Sequence, residues 1–314
     1  MNKKAIVFTF ITVIFVVLLV ASFLLAISNR AQRDIQKTNI KVETLSSFVN
    51  TLNNELLEET LRASSNQLFL AFLDELENPN SGVGKGSYIQ GGVNTVFAEA
   101  LMTGHYKDQK LRIMIQDNLN YTLMKALEEL SIFAQDNGAI LSILPIPRNN
   151  INVYHQDPWH LNVSFVVTYS LNDSRNEVSW GIKNKQISIL LDLQNYRDPF
   201  YLVADNLNVT INKTDVTTWT FDEFRRHITN SLFRAHSDAP SFLKRLQGDK
   251  TADTNGIEAI LDPNFYPNSG QFSNVDFEYR SNIHGDCTVN GMPNEFRLTS
   301  IHLTYYQQTG TCGL

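Results

Sequence analysis

Two cysteines and seven histidines supply the chain's thiol and imidazole chemistry. His284 stands three residues before Cys287 in the run His284-Gly285-Asp286-Cys287. A thiolate nucleophile beside an imidazole base is one reading of that pair, but folds usually bring such partners together from distant positions, and no catalytic-cysteine signature surrounds it. Pairing of Cys287 with Cys312 is the better reading outside a reducing cytoplasm. On the chain-entropy model, closing a loop of about 25 residues stabilises a fold by about 3.5 kcal/mol. A disulfide Cys287–Cys312 is therefore the expected site feature.

Two other clusters carry ligand-type residues. His155, Asp157 and His160 surround a Pro turn and offer two imidazoles and a carboxylate, a set that suits zinc or another transition metal. Their spacing does not put both histidines on one face of a strand or helix, so a polar turn accounts for them better. Asp192, Asp198 and Asp205 flank Asp198-Pro199-Phe200-Tyr201. Paired acids about 5–10 Å apart serve glycoside chemistry, whereas Asp before Pro is common turn chemistry. The glycines around Lys85 resemble a phosphate loop, yet Gly86 follows the lysine where Ser or Thr belongs and no strand precedes it. No residue is assigned to catalysis, to a metal or to a cofactor.

The elements that would position these residues begin with an apolar stretch. Residues 5–27 contain no charge, Pro or Gly. As a helix they span about 34 Å, enough for one crossing of a hydrocarbon core about 30 Å thick. A cleaved signal is the competing reading, although the run exceeds the usual apolar core of such signals. The expected organisation is a cytoplasmic tip at 1–4, a transmembrane anchor at 5–27, an amphipathic stalk helix at 28–77, a Gly-rich link at 78–92 and an extracytoplasmic domain at 93–314. In the stalk, Ile35, Val42, Val49 and Leu56 fall seven apart with Leu45 and Leu52 interleaved. Such a stripe docks on its own domain or self-associates. The anchor's expected partner is the lipid bilayer.

Beyond the link, helical spacing predicts helices over 93–102 and 107–133. The period then drops to two, predicting strands at 139–146, 150–155, 161–171, 177–181, 186–193 and 206–211. Thr220, with Glu223 three residues on, opens a helix predicted to run to Ala235. Alternation returns at 275–280 and 295–306, read as a hairpin. The fold class is thus α+β: a transmembrane helix continuing into a long amphipathic helix, then helices packed on a mainly antiparallel sheet.

The 314 residues carry 26 Lys+Arg against 32 Asp+Glu, a net charge of −6, which argues against a nucleic-acid partner. With 43% hydrophobic and 18% charged residues the chain can bury a core, and 2 Cys exclude a multi-disulfide scaffold. Five Asn-x-Ser/Thr sequons are about what chance supplies and decide nothing.

Lys4-Ala5 before an apolar helix that runs directly into an amphipathic one resembles the spine of type IV pilin-like proteins, although Ile6 stands where the archaeal processing motif has Gln. The run Ile187-Ser188-Ile189-Leu190-Leu191-Asp192-Leu193, followed by Asp198-Pro199-Phe200-Tyr201, is similar to uncharacterised single-anchor surface proteins of archaea. The resemblance implies a membrane-anchored structural, adhesion or pilin-like surface protein. A surface-tethered hydrolase or ligand-binding domain is the alternative.

Overall fold

The computed structural model describes Val20, Ser22, Leu25, Arg33 and residues 36–77, 87–117, 119–175, 177–205, 207–266 and 270–313. It is α+β, with helices and antiparallel sheets. Among the described residues no helix is long and apolar enough to cross a membrane. The expected anchor at 5–27 lies outside them except for Val20, Ser22 and Leu25, as do residues 78–86 of the Gly-rich link. The chain divides into two units, one drawn from Met1–Leu56, Leu130–Leu144 and Thr168–Asn184, the other from Leu57–Glu129, Pro145–Val167 and Lys185–Leu314.

The stalk is helical over residues 36–51 (α1), passes through a π-helical turn at Leu52–Leu56 and continues as α2 (Leu57–Glu77). The wide turn has a cause in the sequence. Buried Leu45 and Leu52 are seven apart, but the next buried leucine is Leu57, five residues on, and one i→i+5 turn absorbs that step. In the first unit, β3 (Ala139–Ile143) pairs antiparallel with residues 169–173 at the end of β5 (His160–Asp173), and β6 (Ser179–Asp192) follows β5 by a tight reversal. Lys41 of α1 pins that reversal by pairing with Asp173 at 3.0 Å and with Glu177. Asp173 also accepts from the Val178 amide at 3.0 Å, and these bonds hold its carboxyl down to about 2 against the desolvation penalty. Tyr169 donates to Asn53 at 2.7 Å, and Phe48 meets Phe133.

In the second unit, α2 buries Leu57, Leu61, Leu68, Phe69, Phe72, Leu73 and Leu76. Each large apolar side chain so removed from water contributes about 1.5–3 kcal/mol. Its partners include α3 (Val93–Thr103), where Phe97 lies 5.2 Å from Phe69. A meander forms the sheet: β4 (Ile151–Asp157) pairs antiparallel with β5, placing Ile151 opposite Phe165 and Val153 opposite Val163, and β6 pairs with β5. Asn94 of α3 accepts from the Val153 amide at 2.7 Å, so the helix covers part of a strand edge. The chain then forms α5 (Phe221–Thr229), β7 (Phe233–Ala235), α6 (Phe242–Leu246), β8 (Ile257–Ala259), α7 (Asp276–Arg280), β9 (Cys287–Thr288), β10 (Arg297–Leu298) and α8 (Ser300–Tyr305).

Several expected elements are corrected. The helix predicted over 107–133 begins only at α4 (Leu123–Asp136). Its start is the turn and second strand of a hairpin of β1 (His105–Tyr106) and β2 (Gln109–Lys110), closed by Lys107 and Asp108 at φ 48° and 61°, the two positive values of a type I′ turn. The two strands predicted at 177–181 and 186–193 are one continuous β6. No strand forms over 207–211, where Thr210 makes only an isolated bridge to Arg197. Thr220 does cap α5, accepting from the Glu223 amide, but the helix ends at Thr229 and residues 233–235 are strand. The hairpin expected from 275–280 and 295–306 is instead α7, β10 and α8, with β10 paired to β9.

Cys287 and Cys312 are disulfide-bonded, with Cα atoms 4.0 Å apart. The bridge staples the tail to β9, where Thr288 donates its amide to Thr311 and Gly313 donates to Asp286. Gly310 permits this close approach, since a Cβ there would sit 1.8 Å from the Thr288 carbonyl oxygen. The double variant Cys287→Ala, Cys312→Ala is expected to lose about 3 kcal/mol of stability in urea unfolding; an unchanged midpoint would contradict a structural role for the bridge.

Candidate functional site

Among the described residues, the candidates read from sequence lie in separate turns and do not line the grooves given below. Asp157 accepts from the Trp159 amide at 2.7 Å and from the His160 ring at 2.8 Å, closing the turn between β4 and β5. Those bonds hold its carboxyl below the usual carboxylate range, against a desolvation penalty. His155 turns elsewhere: its Nε2 accepts from the Leu243 amide at 3.3 Å, and burial lowers its pKa. Asp192 is exposed and accepts from the Gln194 amide at 2.9 Å. Cys287 is buried and disulfide-bonded, so it offers no thiolate to His284, which is exposed. Three surface grooves of about 410, 520 and 600 Å³ are lined by none of His155, Asp157, His160 or Asp198.

Asp198 belongs to a fully buried ionic core. Arg245 of α6 donates through Nη1 to Asp198 at 3.1 Å and to Asp276 at 2.7 Å, and all three side chains have 0% exposure. Nη2 donates to Asp276 at 3.2 Å and to the Ile257 carbonyl, and Nε reaches the Pro240 carbonyl at 3.4 Å. The guanidinium also lies over the Phe200 ring at 4.7 Å. Burial opposes its charge, and the carboxylates of Asp276 and Asp198 outweigh that, raising its pKa. Desolvation pushes the Asp198 carboxyl up against the pull of Arg245. Asp205 is held apart by a second arginine, Arg280, and by the Tyr266 hydroxyl at 2.8 Å. Asp198 and Asp205 are thus each neutralised by a cation, and the buried Asp198 cannot serve as a solvent-facing acid.

A different cluster has the composition of a metal centre. His236, Glu258 and His302 each offer a ligand atom, and the three atoms lie within 4.8 Å of one another. They come from the loop after β7, from the middle of β8 and from α8. Glu258 is 0% exposed and the two histidines 9% and 3%. Glu258 sits opposite Arg234 in the β7–β8 register. His302 Nε2 lies 3.1 Å from Glu258 Oε2, while its Nδ1 meets Glu278 Oε1 at 3.2 Å and Thr299 Oγ1 at 2.8 Å. Burial disfavours charge on this ring, yet the bonds to Glu258 and Glu278 lift its pKa to about 10. The Tyr306 hydroxyl donates to the other oxygen, Glu258 Oε1, at 2.7 Å. His236 Nδ1 is 3.3 Å from Glu258 Oε2 but makes no hydrogen bond. Gly256 sets this loop: its carbonyl accepts from the His236 amide at 3.0 Å, and a Cβ there would stand 2.3 Å from the His236 carbonyl oxygen.

None of these three residues was legible as a set, being 22 and 44 positions apart in a chain without a local motif. One signal was present. Glu258 is a lone charge inside Ile257-Glu258-Ala259-Ile260-Leu261, and a charge in so apolar a run calls for a buried partner. The chain matches no family model, no curated protein and no solved structure.

His227 of α5 is also buried, with neither ring nitrogen hydrogen-bonded, between Trp219 at 5.1 Å and Tyr306 at 5.8 Å. Burial, with Arg234 and Arg226 nearby, lowers its pKa to about 3. A base depressed below its ordinary 6.5 leaves stability intact above pH 6.5 and erodes it as pH falls toward 3. The variant His227→Leu is expected to lose that acid-side slope, at most about 1.4 kcal/mol per pH unit; an identical pH profile would refute the assignment. Asp276→Asn, which leaves Arg245 with one carboxylate, is expected to cost about 3–5 kcal/mol in denaturant unfolding. A loss within experimental error would show that the pair is not a structural tie.

Proposed function

We propose that this chain is a single-anchor extracytoplasmic protein whose head serves structure, adhesion or pilin-like assembly, with no chemistry at the residues the sequence first suggests. The observation that carries the reading is the Cys287–Cys312 disulfide, because such bridges persist in oxidising compartments. The apolar stretch at 5–27 supports it by giving a bilayer partner to a chain that continues as the amphipathic helix described from residue 36. The burial of Asp198 and the locking of Asp157 in a turn weigh against the hydrolase alternative.

Self-association through the stalk belongs to the same proposal. Leu45 and Leu52 are covered, while Ile40 and Val42 stay 63% and 39% exposed, so part of the helix's apolar surface is left for a second copy. Placement is tested by thiol labelling of intact cells with a membrane-impermeant maleimide. Cys312, which is exposed, is expected to label only after a reductant is added and without lysis. Free thiols that label only after lysis would overturn the placement.

A further inference from the structure

We infer that His236, Glu258 and His302 form a binding site for one divalent transition-metal ion, zinc fitting best, with His236 Nδ1, Glu258 Oε2 and His302 Nε2 as ligands. Two imidazoles and one carboxylate are a donor set that zinc takes up with a fourth position left to water. The spacing fits. Zinc bonds of about 2.0–2.2 Å meeting at a tetrahedral angle separate ligand atoms by about 3.4 Å. Here Glu258 Oε2 lies 3.1 Å from His302 Nε2 and 3.3 Å from His236 Nδ1.

A second, independent observation points to a ligand. The His236 side chain is only 9% exposed, its Nδ1 has no hydrogen-bond partner, and that atom lies 3.3 Å from Glu258 Oε2. A buried polar nitrogen left unpaired is costly unless something else binds it. The surrounding groups match an outer shell. Glu278 Oε1 lies 3.2 Å from His302 Nδ1, so that Nε2, 3.1 Å from Glu258 Oε2, is the nitrogen that would turn from that contact to the ion, and Tyr306 holds Glu258 Oε1 so that Oε2 faces the histidines. The bound ion would join the loop after β7, β8 and α8. It would therefore fasten the segment closed by the Cys287–Cys312 bridge to the rest of the second unit.

The experiment uses the full-length chain stripped with a chelator and titrated with zinc chloride, read by elemental analysis after dialysis and by melting temperature. Wild type is expected to retain one zinc per chain and to melt higher with zinc than without it. His236→Gln, whose metal-free form is melted alongside metal-free wild type as its own reference, is expected to bind zinc at least tenfold more weakly and to show no zinc-induced rise. Cobalt(II) substituted into wild type should give the intense visible bands of a tetrahedral site. His160→Ala, at the turn between β4 and β5, should bind zinc as wild type does. Wild type without retained zinc, His236→Gln with undiminished affinity, or loss of binding in His160→Ala instead would each overturn the assignment.

Discussion

One guanidinium organises the second unit. Arg245 has no contact with water, so its charge and its N–H groups must be met inside the protein, and each unmet demand would cost more than an ordinary hydrogen bond returns. Its partners come from four separate segments: Asp198 after β6, the Pro240 carbonyl before α6, the Ile257 carbonyl at the start of β8 and Asp276 at the start of α7. The arrangement fixes where those segments lie. Asp198 and Asp276 each accept backbone amides as well, from Phe200 at 2.9 Å and Phe277 at 2.7 Å, so the carboxylates shape the turns that present them. Regular structure is sparse between β6 and α8, and ionic ties of this kind take over part of the positioning that strand ladders supply in the meander.

The His236, Glu258 and His302 cluster depends on the same ties. Ile257, whose carbonyl meets Arg245, directly precedes Glu258, and α7 carries both Asp276 toward Arg245 and Glu278 toward His302. One short helix thus serves two polar centres. The disulfide encloses β9, β10 and α8, so His302 and Tyr306 sit on a segment held at one end by a covalent staple and in its middle by Glu258. This is polar chemistry in a core, not along a groove.

Much of the fold was legible where burial follows a simple period. The helix through 36–77, α3, the alternation of Leu161, Val163, Phe165 and Val167 in β5, and the Thr220 cap all follow from spacing and cap chemistry. The failures share one physical cause. In Val275-Asp276-Phe277-Glu278 the acids read as the solvent face of a strand, but Asp276 and Glu278 are buried by Arg245 and His302, and a helical turn results. The hairpin at β1–β2 was hidden because Leu111, Met114 and Ile115 mimic helical spacing, while Lys107 and Asp108 adopt positive φ without the usual glycine or asparagine signal. The same limit applies to the site. Neighbouring residues such as His155, Asp157 and His160 attract attention by proximity in sequence, whereas the ligand-type cluster assembles from positions that only the fold brings together.

The central claim is that the ionic core around Arg245 is part of the folding core of the second unit and does not open on its own. Native-state amide hydrogen exchange measures this directly. The amides of Phe200 and Phe277, bonded to Asp198 and Asp276, are predicted to exchange only with global unfolding, at the protection of Val163 and Phe165 in β5. Exchange at Phe200 and Phe277 that is orders of magnitude faster than in β5 would make this region a locally opening site and contradict the account.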